Sequence, residues 1–146
     1  MDTNHSTEAL VDAAEAGPIT VVSIRTPVLK DPQSIAVVAN EVRDISRRSE
    51  SPNILLDFHL VEHVSLDFLD EMSVVAEEIQ SRGGTICCCA LRREMRTVLR
   101  ILGAHVSYIG HTVQHAVMRH AAYLEGRNKA KTNATTPGRF SIRWKE

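Results

Sequence analysis

The sequence predicts an α/β domain built on a mainly parallel sheet of four to five strands with about four helices. Three observations carry this. Short β-branched or apolar runs alternate with stretches whose apolar residues recur every three or four positions. The run NILLDFHLV (53–61) is apolar without alternation, as in a central strand covered on both faces. Glycine, proline and polar clusters mark each change of period.

Taken in order, residues 1–17 are polar and rich in Ala and Glu, and read as a mobile leader. ITVVSIRT (19–26) is β-branched and closes at Pro27, which predicts a strand. TPVLKDPQS follows as a turn region in which Asp31 or Ser34 caps the next helix. From Gln33 to about Arg48, the residues Ile35, Val38, Val42 and Ile45 make one buried stripe. SESPN ends that helix and the central run 53–61 follows. Leu69, Met72, Val75 or Ala76, and Ile79 form a second stripe, stopped by Gly83-Gly84. TICCCAL (85–91) is a third strand. Met95, Val98, Leu99 and Leu102 outline a third helix with Gly103 as its stop. VSYI (106–109) is a short last strand, and Val113, Val117, His120 and Leu124 share one face of a fourth helix. Residues 127–146 turn to Lys, Asn, Thr, Pro and Gly and read as a disordered basic tail, whose RFSIRWKE offers Phe140, Ile142 and Trp144 for docking. The folded part is therefore expected at 18–126.

Bulk properties exclude several classes. The 146 residues carry a net charge of −1, no footprint of a nucleic-acid binder. Charge is uneven: residues 1–17 hold four acids and no Lys or Arg, whereas 127–146 hold six Lys or Arg against one Glu. No stretch approaches the roughly 18 apolar residues of a membrane span, and MDTNHSTEAL lacks the pattern of a signal peptide. The three cysteines are adjacent, Cys87-Cys88-Cys89, so they make no disulfide framework and no zinc knuckle; reduced, buried thiols in the cytoplasm are expected.

No familiar chemistry assembles. No glycine-rich phosphate loop precedes a helix. Asp57 sits late in the central strand, as a phosphoaspartate would, but the first strand ends in SIRTP, with Arg25 and none of the acids that would hold a divalent cation. His111 and His115 have the i, i+4 spacing of a metal pair but no evident third ligand, and a solvated face accounts for them. His59 and His63 flank a strand end, and His120 falls on an apolar stripe. Arg92, Arg96 and Arg100, with Arg93, make a basic helix edge suited to an acidic partner, a phosphate or simply solvent. Ser65 has no elbow glycines, so it is no activated nucleophile. No metal, cofactor or catalytic residue is assigned.

Residues 53–103 carry a wider pattern: a strand ending LLDF, then VEHV into a loop, a helix ending RGG, a strand, and RREMRTVLRILG. This pattern, with the element order over about 19–124, resembles the STAS domain of anti-sigma factor antagonists and sulphate-transporter tails. The resemblance implies a STAS-like fold and a regulatory, non-enzymatic role. It implies binding an anti-sigma factor or a serine kinase-like ATPase, or service as a STAS subunit of a transporter or multi-STAS particle. A metal- or nucleotide-dependent enzyme is the rival class, and a homodimer is left open.

In typical members the loop after the VEHV position reads Asp-Ser-Ser-Gly, with the second Ser as phosphoacceptor. Laid on this chain without gaps, these positions hold Ser65, Leu66, Asp67 and Phe68, so all four depart. Asp67 replaces the phosphoacceptor, and Ser65 is the remaining hydroxyl for phosphorylation, one step along. Two meanings stand side by side. Asp67 supplies a fixed charge of −1 where a phosphoserine would carry about −1.5 to −2, or it serves as one of the acids of a first helical turn. Phe68 fills the core or, with Leu66, forms an apolar contact for a partner.

Overall fold

The computed structural model describes residues 10–102 and 106–133. Four parallel strands form most of the sheet: β2 (Ile19–Ile24), β4 (Asn53–Asp57), β6 (Thr85–Cys89) and β7 (Ser107–Tyr108). An antiparallel edge strand, β1 (Val11–Ala16), completes the order β1-β2-β4-β6-β7. A separate parallel pair, β3 (Val28–Leu29) with β5 (His63–Val64), lies beyond the ends of β2 and β4. The helices are α1 (Pro32–Ser46), α2 (Leu66–Ser81), α3 (Arg93–Leu102) and α4 (Val113–Asn133).

β1 corrects the expected leader over residues 11–16. VDAAEA has little strand propensity of its own. It is held by a two-residue hairpin in which Ala16 faces Ile19 and Val11 faces Ile24. Gly17 takes φ +63°, as the first central position of a II′-type turn requires, and Pro18 supplies the negative φ after it. Residues 1–9 lie outside the described residues.

The parallel strands alternate their side chains between two core layers. Val22, Ile24, Ile54, Leu56, Ile86 and Cys88 face α1, α2 and α3. Ile19, Val21, Leu55, Cys87 and Cys89 face α4. The adjacent cysteines are free and buried, divided between the layers, and burial pushes the thiols of Cys87 and Cys89 up to about 12. They are neutral, unreactive core residues.

Helix ends follow from local chemistry. Asp31 caps α1 by accepting the N–H of Ser34 at 2.9 Å, which lowers its pKa. At the other end of α1, Arg82 donates to the carbonyls of Ser46 (3.0 Å) and Ser49 (2.8 Å). α2 closes in a Schellman motif: Gly84 N–H reaches Ile79 O and Gly83 N–H reaches Gln80 O, both at 3.0 Å, with Gly83 at φ +83°. A Cβ on Gly84 would stand 2.3 Å from Pro52 O, so only glycine fits there.

α4 departs from expectation in the other direction. It passes through Gly126 and runs to Asn133, so residues 127–133 are helical and not tail. A mid-helix glycine costs about 1 kcal/mol, too little to break a helix flanked by good formers. Arg127 adds a hydrogen bond to Gly83 O at 2.9 Å. Residues 134–146 and the Gly103 stop lie outside the described residues.

Candidate functional site

The loop between β4 and α2 is held from both sides. At the end of β4, Asp57 is buried, accepts Ser23 Oγ–H at 3.1 Å from β2, and accepts the N–H of His59 at 3.0 Å. The second contact is an Asx turn that ends the strand four residues earlier than the apolar run suggests. His59 Nδ1 lies 2.8 Å from the same carboxylate. Asp57 is thus a structural brace, and among the described residues no group of three His, Cys, Asp or Glu could hold a metal.

Beyond the turn the backbone is pinned to the β3 segment. Glu62 N–H and His63 N–H both donate to Pro27 O, at 2.7 and 3.0 Å, and Ser65 N–H donates to Leu29 O at 2.9 Å. Sequence reading took 26–34 as a turn alone; the β3 pairing is what fixes the loop.

Ser65 is the N-cap of α2. Its backbone is extended (φ −90°, ψ 166°), and its Oγ accepts the Phe68 N–H at 3.2 Å. Leu66 and Asp67 are the first two helical residues and both are exposed, Leu66 by 58%. Asp67 sits where the helix dipole favours an anion. Asp70 is also exposed. Glu71 and, two turns on, Glu78 clasp the same Arg43 guanidinium of α1, at 3.1 and 3.0 Å. The hydrogen bonds to Glu78 and then Glu71 raise the Arg43 pKa and join α1 to α2 below the loop.

Phe68 settles one alternative. It is 0% exposed and meets Phe58 edge-on, with ring centroids 6.2 Å apart. A helix residue at this position points at the sheet, so Phe68 cannot be a surface contact, and its assignment to a partner-binding patch is corrected. The exposed apolar groups at this end of the domain are instead Leu66, Val28 of β3 and Leu60 in the turn after β4. Val28 and Leu60 escaped sequence reading; Val28 is made a surface residue by the β3–β5 pairing opposite His63. The loop therefore presents an apolar and acidic surface, Leu66 with Glu62, Asp67 and Asp70, on a rigid base.

The other candidates lie elsewhere. His111 precedes α4, so it shares no helical face with His115; it lies 2.7 Å from the Tyr108 hydroxyl. Arg96 stacks over the Tyr108 ring at 5.2 Å, while Arg92, Arg93 and Arg100 are exposed. His63 is exposed. His120 is fully buried between α4 and the sheet, its Nε2 2.7 Å from Thr85 Oγ1. Since that hydroxyl donates to Asn53 Oδ1 at 2.9 Å, His120 is the Nε2–H tautomer, and burial lowers its pKa to about 4.

No family model matches the chain, and no curated protein matches it. Solved structures do. An anti-sigma-factor antagonist (STAS) domain protein from Planctomyces limnophilus superposes with a TM-score of 0.65 at 16% identity, over 75% of this chain and 96% of that one. The anti-sigma factor antagonist SpoIIAA in its unphosphorylated form gives 0.60 at 11%, over 75% and 96%. The murine Solute Carrier 26 family member A9 anion transporter gives 0.59 at 15%; the match covers 75% of this chain but only 18% of the transporter. The chain has the STAS fold. Among the described residues no helix is long and apolar enough to cross a membrane.

Proposed function

We propose that this chain is a regulatory binding module, non-enzymatic and cytoplasmic, that engages a protein partner through the start of α2. The partner class is an anti-sigma factor or a serine kinase-like ATPase, and the usual phosphoserine switch is replaced by a fixed surface. One observation carries the reading: Ser65 caps the helix, Asp67 stands exposed on its first turn, and Phe68 is locked in the core beneath. An exposed leucine beside a permanent carboxylate at a helix start suits contact. The likeness to two structures described as anti-sigma factor antagonists supports the partner class.

Calorimetry against anti-sigma factors and serine kinase-like ATPases of the native cell tests the reading. Binding that Leu66→Glu abolishes, with the melt unchanged, is expected; binding indifferent to that exchange sinks the reading. Intact mass of native protein with and without phosphatase tests the remaining hydroxyl: a phosphatase-sensitive form at Ser65 overturns the fixed surface.

The likeness to part of an anion transporter supports a second reading, a STAS subunit of a larger complex. Pull-down from the native cell separates the two, a membrane transporter against a soluble kinase or anti-sigma factor.

A further inference from the structure

The two edges of the sheet differ. Among the described residues β7 is two residues long, too short to template another strand. β1 runs for six residues in unbroken register with β2 and carries no Lys, Pro or bulge, the devices that protect an open edge. Its side chains from Asp12 to Glu15 are all exposed. The ladder also fixes which backbone groups are open. Arg25 N–H donates to Leu10 O at 2.8 Å, which makes Leu10 and Arg25 a hydrogen-bonded pair. Such pairs recur at every second residue, so Asp12, Ala14 and Ala16 direct their backbone groups at β2. Val11, Ala13 and Glu15 direct theirs outward, where no strand among the described residues receives them.

We propose that β1 pairs with β1 of a second copy of this chain, antiparallel about a two-fold axis at Ala13, so that two sheets become one. Self-complementarity chooses this occupant. The axis sets Ala13 against Ala13 of the second copy, Val11 against its Glu15 and Asp12 against its Ala14, so no like charges stand opposite each other. All three outward residues then pair, giving about six hydrogen bonds. The neighbouring registers are worse. Sliding two residues one way sets Asp12 against Asp12 of the second copy; sliding the other way runs Val11 against Gly17 in the hairpin turn. The acids are also answered within each copy. Asp12 pairs with Arg25 at 2.7 Å, and Glu15 accepts the Thr20 Oγ1–H at 3.3 Å.

Sedimentation velocity of the full chain should show a dimer that dissociates on dilution. Ala13→Pro removes an N–H that faces away from β2, so the β1–β2 ladder keeps its bonds. It should weaken the dimer at least about tenfold while circular dichroism holds. Ala13→Lys sets two ammonium groups opposite each other and should do the same. Oxidation reads the register. At position 13 the two Cα atoms of a hydrogen-bonded pair lie about 5.5 Å apart, within reach of a disulfide. Position 14 meets its own copy only on the diagonal, at about 7–8 Å. Ala13→Cys should therefore cross-link two copies, whereas Ala14→Cys and the parent chain, with its buried cysteines, should not. A chain that stays monomeric at every concentration overturns the pairing. So does a dimer that survives both Ala13→Pro and Ala13→Lys, since the contact then lies on another surface. A dimer that cross-links through Ala14→Cys in preference to Ala13→Cys overturns the register.

Discussion

α2 and α4 are the two longest helices, 16 and 21 residues, and the sheet treats them differently. α2 starts on a side-chain cap, ends in a two-bond glycine motif, and presses Phe68, Leu69, Met72, Val75, Ala76 and Ile79 into a layer shared with α1 and α3. Among the described residues, α4 is the one helix on the opposite face; it carries a buried histidine and exposes Met118 on one flank. The first helix is fixed at every point, so the surface at its start is a preformed one. The second, among the described residues, is fixed along one stripe.

The contrast can be broken at Phe68. Phe68→Ala leaves a cavity against Phe58 and should cost about 3–5 kcal/mol in a urea melt. A cost near zero would mean that the α2 layer is looser than its burial implies. On the α4 side, acid is the lever. An unfolded histidine titrates near 6.5 and His120 in the fold at about 4, so between these values the unfolded chain holds the extra proton. Stability from this group is complete above 6.5 and falls as pH drops toward 4, by at most about 3 kcal/mol. His120→Gln keeps a donor for Thr85 and should flatten that part of the profile; identical slopes for both proteins would refute the assignment.

Smaller effects sharpen the α2 end. Asp67→Ser should weaken partner binding at least about tenfold, or 1.4 kcal/mol, if its charge stands in for a phosphate. An unchanged dissociation constant by calorimetry leaves Asp67 as a first-turn acid only. Ser65→Ala should lose about 1 kcal/mol of stability through the missing cap, and Ser65→Asp almost nothing, because aspartate caps as well. Equal losses from both exchanges would show that the Phe68 N–H bond is unimportant.

The element order was legible because apolar periodicity survives burial: the α1 stripe of Ile35, Val38, Val42 and Ile45 is buried as spaced. β1 was not, since Ala and Glu carry no strand signal and the hairpin turn supplies what propensity lacks; Gly17-Pro18 was its only mark. The end of α4 was hidden because Gly126 reads as a stop, whereas the helix formers around it outweigh one glycine. At the site, the gap-free comparison located the loop but could not orient it. Spacing alone does not say that the third helical residue points inward; the packing of α2 on the sheet is what buries Phe68. Val28 and Leu60 became surface groups through the pairing of two-residue strands, a length at which no pattern can show.

Three consecutive cysteines give this molecule two clocks. Cys88 lies in the α1–α3 layer and Cys87 and Cys89 in the α4 layer, one residue apart on a single strand. Thiols this deep are alkylated only when a layer opens. If α4 lifts alone, Cys87 and Cys89 are modified first while Cys88 waits. If the domain opens only as a whole, all three react together. The same strand thus times the two faces of the sheet against each other.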